Sequence, residues 1–303
     1  MIQRFYGTRY FTVSEPEYEA EKTAYFDSIF EEISQAKKAP AIKLNEKYTK
    51  HEFLRYMVDH KGLLARGSDQ AGIMIFDPQE GTDYFGNPTQ AIYATQDGIL
   101  PIFFAIINRD NPDLRALWNA CKWVQTDVGE LHKVYAFALN QEAFAETAFG
   151  RGVVYLLPNE SFRQVKSKSG LPTTEWANKM SVQPLASLPV TPNDFPFLDQ
   201  VKRFDLQDLM TQHRALSAIT RIIDHPNGFT LCIDRRRIPV EEIERAVHFT
   251  KTFNPSWRMR ITDRVRDEAC VEVRFPTGVI KFCKQELMED IQELHADFFS
   301  IVK

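Results

Sequence analysis

Three short segments carry side chains whose types and order could do chemistry together. Residues 63–69 read LLARGSD and contain Arg66-Gly67-Ser68. An arginine presents a planar fork of N–H donors that suits phosphate or hydroxyl oxygens, and the glycine after it lets the backbone come close to a bound group. Residues 91–97 read AIYATQD, with Tyr93 offering a flat aromatic face for stacking and Thr95 close behind. In residues 174–190 Glu175 precedes Trp176, and an ionised carboxylate held beside a developing positive charge stabilises it.

Other chemistry is less well marked. Cys121, Cys232, Cys270 and Cys283 are widely spaced and read as reduced core thiols. The seven histidines form no close ligand pair, so no structural zinc is expected. Between Arg235 and Lys284 there are twelve Lys and Arg against seven Asp and Glu. Arg258, Arg260, Arg264 and Arg266 occupy even positions; in a continuous strand they would share one face with Trp257, Met259 and Ile261 on the other. That basic face could grip phosphates or an acidic partner, or form a solvated surface paired to nearby carboxylates.

The elements that must position these groups follow from pattern. Between residues 63 and 190 the segments LLARGS, GIMIF, AIYAT, KVYAFAL, GVVYLL and SFRQV read as strands. A helix is expected where Asn111 can cap, Pro112 suits the first turn, and Leu114, Leu117, Trp118 and Cys121 make a stripe. Ahead of this domain, Ser14 with Glu17 predicts a helix bearing Phe26, Ile29, Phe30 and Ile33, which ends before Pro40. Thr49 with Glu52 predicts a second through Phe53, Leu54 and Met57, closing near Gly62. Pro189, Pro192 and Pro196 mark a boundary.

Beyond it, residues 206–223 read as one amphipathic helix, residues 229–233 as a strand, and Val240, Ile243 and Val247 as a helix. Alternating strands follow around Met259 and Val273; a turn at Pro276-Thr277-Gly278 leads into a strand at 279–283, and a last helix carries Leu287, Ile291, Leu294 and Phe298. The expected parts are a helical extension at 1–48, a strand-rich domain at 49–192 and an α/β module at 193–303.

In order and spacing, the three chemical segments resemble the three-motif signature of the ADP-ribosyltransferase superfamily, in its poly(ADP-ribose) polymerase and diphtheria-toxin branch but with an arginine-first motif. The resemblance spans residues 63–190. It implies an α+β fold, a split antiparallel β-sandwich flanked by the helical extension and the C-terminal module. It also implies NAD as substrate, with no metal. Arg66, Gly67 and Ser68 would then hold the dinucleotide, Tyr93 would stack on the departing nicotinamide with Thr95 beside it, and Glu175 would stabilise the ribosyl cation. Asp69, Asp77 and Asp83, with residues 84–87, would close over the dinucleotide. The implied activity is ADP-ribosyl transfer to a macromolecular acceptor, or NAD glycohydrolysis, in a toxin or effector.

The sequence departs from that branch at three places. Arg66 stands where the branch has histidine, Pro101 stands near its nicotinamide-binding serine, and Thr173 stands two residues before Glu175, where arginine-directed relatives have a second glutamate. A non-catalytic interaction or nucleic-acid-binding protein using the basic C-terminal sheet is therefore the rival reading.

Bulk properties narrow the class. The chain has 303 residues, 44% hydrophobic and 26% charged, enough for a substantial core and more typical of two domains than one. Its formal net charge of -4 argues against a phosphate-coating protein overall. The longest apolar run, residues 98–107, is far short of the roughly 20 residues that span a bilayer, and no secretory leader is visible, so a cytoplasmic protein is expected with no membrane partner.

Overall fold

A computed structural model describes residues 13–82, 88–125, 131–166, 172–253, 257–265 and 267–275. In chain order the elements are helices α1 (Ala20–Gln35) and α2 (Lys50–Asp59), strands β1 (Leu64–Ser68), β2 (Gln79–Thr82) and β3 (Pro88–Thr95), helix α3 (Leu100–Ile106), and strands β4 (Leu117–Gln125) and β5 (Leu131–Asn140). Strands β6 (Gly152–Leu157), β7 (Arg163–Lys166), β8 (Pro172–Asn178), β9 (Ala186–Val190) and β10 (Lys202–Phe204) follow. The rest is α4 (Leu206–Ser217), β11 (Ile219–His225), β12 (Gly228–Asp234), α5 (Val240–Phe253), β13 (Arg258–Val265) and β14 (Glu268–Arg274). The class is mixed α+β with largely antiparallel sheets.

The described residues form two compact units: one from residues 14–115 with 142–201, the other from 116–141 with 202–275. The strands β4 and β5 thus belong with the C-terminal part.

In the first unit, α2 begins as the sequence predicts. Thr49 Oγ1 accepts from the Glu52 amide, and the Glu52 carboxylate accepts from the Thr49 amide, so two otherwise orphaned N–H groups are satisfied. The helix ends before Gly62, whose φ of +66° is the left-handed conformation that glycine adopts without strain. The expected start of α1 at Ser14 is corrected to Ala20, and its N-cap Glu19 makes no side-chain capping bond. Ser14 and Glu15 serve Arg55 instead: the Ser14 carbonyl and the Glu15 carboxylate accept from that guanidinium, which lies on α2 with only 3% of the residue exposed. A buried cation demands such partners more strongly than a helix end demands a cap.

The sheet of this unit runs β7-β8-β3-β1-β6-β9, with β2 also paired to β3, and every pairing in it is antiparallel. Strand alternation sends Leu64, Ile92, Ala94, Val153, Tyr155 and Leu157 to one face, where they bury against Phe76, Phe162 and Val182. Helix α3, the buried apolar run foreseen in the sequence, packs on the other face. A Cβ on Gly67 would lie 2.0 Å from the Pro101 carbonyl oxygen, so only glycine allows α3 to approach β1 so closely.

Of the expected strands, GIMIF is corrected to irregular chain: Phe76 makes one bridge with Val182, while Met74 and Ile75 stay exposed. The helix expected after Asn111 is also corrected. The Asn111 amide is buried, donating to the Ala143 carbonyl and accepting from the Asp113 amide. Those bonds build a turn, and from Leu117 the chain runs as β4 along β5 in continuous antiparallel register. Long-range pairing here outweighs a helical stripe of four residues.

In the second unit β10, β5 and β4 form one sheet, and β11-β12-β14-β13 form another, wholly antiparallel. Phe229, Leu231, Ile233, Val271, Val273 and Met259 face Ala215 of α4 and Ile243 and Ala246 of α5, which makes the core of this unit. The single helix expected over 206–223 ends at Ser217 and is replaced by β11. Ile219, Thr220, Ile222 and Ile223 are all branched at Cβ, which crowds a helix and suits a strand. The turn at 276–278, the strand at 279–283 and the last helix lie outside the described residues. Among the described residues no helix is long and apolar enough to cross a membrane.

Candidate active site

The three segments singled out in the sequence become adjacent strands. β8 carries Glu175, β3 carries Tyr93 and β1 carries Arg66, side by side in the sheet. Thr95 pairs with Glu175 and Tyr93 with Ala177, so Tyr93, Thr95 and Glu175 share a face, with Tyr93 and Glu175 diagonal across the two strands. Both are half-buried. The Tyr93 ring runs beside β2, where a Cβ on Gly81 would lie 4.0 Å from Tyr93 Cε2.

Strand β8 is fixed locally by Thr173, whose hydroxyl donates to the Val165 carbonyl at 2.7 Å and accepts from the Glu175 amide at 3.2 Å. Thr173 thus secures the main chain that presents Glu175. Thr95 is buried, and its hydroxyl donates to the Thr174 carbonyl at 3.0 Å, tying β3 to β8.

Arg66 does not join this face. Ala65 pairs with Thr95, so alternation sends residue 66 to the opposite side, with Ala94 and Trp176. The expectation of one hollow ringed by positions 66, 93 and 175 is corrected accordingly. On the Arg66 side β8 presents Thr174, Trp176 and Asn178, none of them a carboxylate. The guanidinium donates to the Tyr93 carbonyl, and its Cζ lies 5.2 Å from the centre of the Phe76 ring. Burial, then the charge of Arg109, lowers its pKa from the ordinary arginine value.

This second face has a feature that the motif pattern did not signal. Arg66 Nε and Trp176 Nε1 are both buried and make no hydrogen bond, and the small Ala94 lies in the row between them. Alternation within each segment does not reveal this, because only the register between the strands matches their faces.

The remaining candidates fall in different places. Gly67 accommodates α3 and is not open to a ligand. Ser68 Oγ accepts from the Gln70 amide in the turn after β1. Asp69 is 4.0 Å from Arg109, and Asp77 accepts a hydrogen bond from Ser181. Asp83 and residues 84–87 lie outside the described residues.

In the C-terminal unit Arg258 and Arg260 are exposed on the sheet face opposite α4 and α5. Glu272, opposite Arg260 on β14, accepts from Arg260 at 2.7 Å and from Arg274 at 2.6 Å, and these two hydrogen bonds hold its carboxyl below the usual range. Arg221 pairs with Glu268 at 2.9 Å. The face is thus a lattice of both signs, which weakens its pull on a polyanion. The Arg264 side chain and Arg266 lie outside what is described. An open depression nearby is also mixed in charge, lined by Arg235, Arg236, Glu241, Glu244 and Asp267.

Among the described residues no cluster of three or more His, Cys, Asp or Glu could hold a metal ion. Comparison with family models, with curated proteins and with solved structures found no match.

Proposed function

We propose that this chain binds NAD against the sheet face bearing Tyr93 and Glu175 and breaks its bond to nicotinamide, passing ADP-ribose to water or to a macromolecular acceptor. The observation that carries the reading is the diagonal placement of an aromatic ring and a carboxylate on β3 and β8. In the reaction the C–N glycosidic bond breaks, nicotinamide leaves with the bonding electrons, and positive charge grows on the ribose. Glu175 stabilises that charge and orients a ribose hydroxyl, Tyr93 holds the leaving ring, and the attacking nucleophile gives up its proton.

The adjacency of β8, β3 and β1 favours this reading, of which a split-sandwich domain of the ADP-ribosyltransferase kind and a role as toxin or effector are proposed parts. Arg66 has no part in holding the dinucleotide in this arrangement, because its side chain leaves the other face. The affinity it was expected to supply must come from elsewhere on the Tyr93 side.

The test is incubation of the purified chain with NAD and chromatographic measurement of free nicotinamide. Release above the spontaneous rate supports the reading. No release, together with nucleic-acid binding that weakens steeply with salt, would replace it with the interaction-protein reading centred on the C-terminal arginines.

A further inference from the structure

Cys232 on β12 and Cys270 on β14 are direct cross-strand partners. Their sulfurs are 3.8 Å apart, and both cysteines are reduced. The register that brings them together is fixed from the opposite face: Leu231 pairs with Val271 and Ile233 with Ala269, all four in the hydrophobic core under α4 and α5. A slip of one residue would turn those apolar side chains outward, so the two sulfurs stay opposed. Directly opposite residues of an antiparallel pair have Cα atoms about 4.5–5.5 Å apart, within the roughly 4.4–6.8 Å that a disulfide accepts.

Access is unequal. Cys232 is wholly buried, whereas Cys270 is partly exposed and is the sulfur an external reagent meets first. Burial, then the hydrogen bond and charge of Cys232, push the Cys270 thiol up from its ordinary pKa. Arg221, paired with Glu268, borders the same sulfurs.

We propose that Cys232 and Cys270 are an oxidative modification site, a dithiol that closes to a cross-strand disulfide under a low-molecular-weight disulfide oxidant. The Cys270 thiolate attacks one sulfur of oxidised glutathione, forming a mixed disulfide and releasing one glutathione thiolate. The Cys232 thiolate then attacks the Cys270 sulfur, displacing the second. The protein loses two electrons and two protons, and the oxidant becomes two molecules of glutathione. No strand moves out of register, and the link joins residues 38 apart in sequence, across α5 and β13.

The experiment equilibrates the folded full-length chain with oxidised glutathione, then denatures it in the presence of an alkylating reagent to cap the remaining thiols, and maps peptides without reduction. The expected result is a Cys232–Cys270 linked peptide, an intact mass lower by two hydrogens, and restoration of both thiols by dithiothreitol. C121S should leave the link intact, and C270S should leave Cys232 alkylatable. The native map decides the matter even if a variant fails to fold. Free thiols at both positions after equilibration, glutathione retained on Cys270 alone, or a link that instead joins Cys121 or Cys283 would overturn the proposal.

Discussion

Tyr93 and Glu175 lie diagonally across β3 and β8 on one sheet face, while Arg66, on the neighbouring strand, points from the other. The separation yields a kinetic expectation. In R66M, methionine keeps the contact with Phe76 without the charge, and KM for NAD should change by less than about twofold. A rise of about tenfold in initial-rate measurements would return Arg66 to the NAD site.

Gly67 lets α3 lie directly on β1. In G67A the added methyl would meet the Pro101 carbonyl oxygen at 2.0 Å, and a backbone carbonyl cannot rotate away as a side chain can. The expected loss is about 3 kcal/mol in urea unfolding, at the upper end for overpacking. A loss below about 0.5 kcal/mol would mean that α3 does not approach β1 so closely.

Glu52 predicts how the first unit responds to acid. Burial would raise its carboxyl, but hydrogen bonds from Thr49 and Lys22 outweigh that and hold it below the ordinary value. A carboxyl depressed in the folded state adds stability above its unfolded pKa of about 4.3, and that contribution disappears as pH falls through the folded value. Urea midpoints of the native chain and E52Q should therefore differ near neutrality and converge in acid. A gap that persists unchanged in acid would show that the Glu52 charge is not its source.

Much of the fold was legible where local and long-range forces agree. The Thr49-Glu52 box starts α2 as expected, and the short apolar segments around Tyr93 and Val154 and the alternating one around Val271 are strands. The errors came where they conflict. Asn111 and the stripe to Cys121 favour a helix locally, but the long edge of β5 recruits that segment as β4. Residues 206–223 keep a helical period past Ser217, although branched side chains then continue the chain as β11.

The candidate site was half legible for the same reason. Sequence order proposed three neighbouring segments, and they are neighbours, but which face each side chain takes depends on the register between strands. A shift of one residue exchanges the faces, and the pairing of Ala65 with Thr95 put Arg66 behind the sheet.

The most direct test compares the native chain with E175Q, an isosteric change that removes the charge and keeps the strand. Nicotinamide formation from saturating NAD should fall by about 100-fold or more in E175Q, with its unfolding midpoint unchanged. Equal rates in the two proteins, or no nicotinamide from either, would contradict the assignment of Glu175 as the group that stabilises the ribosyl cation.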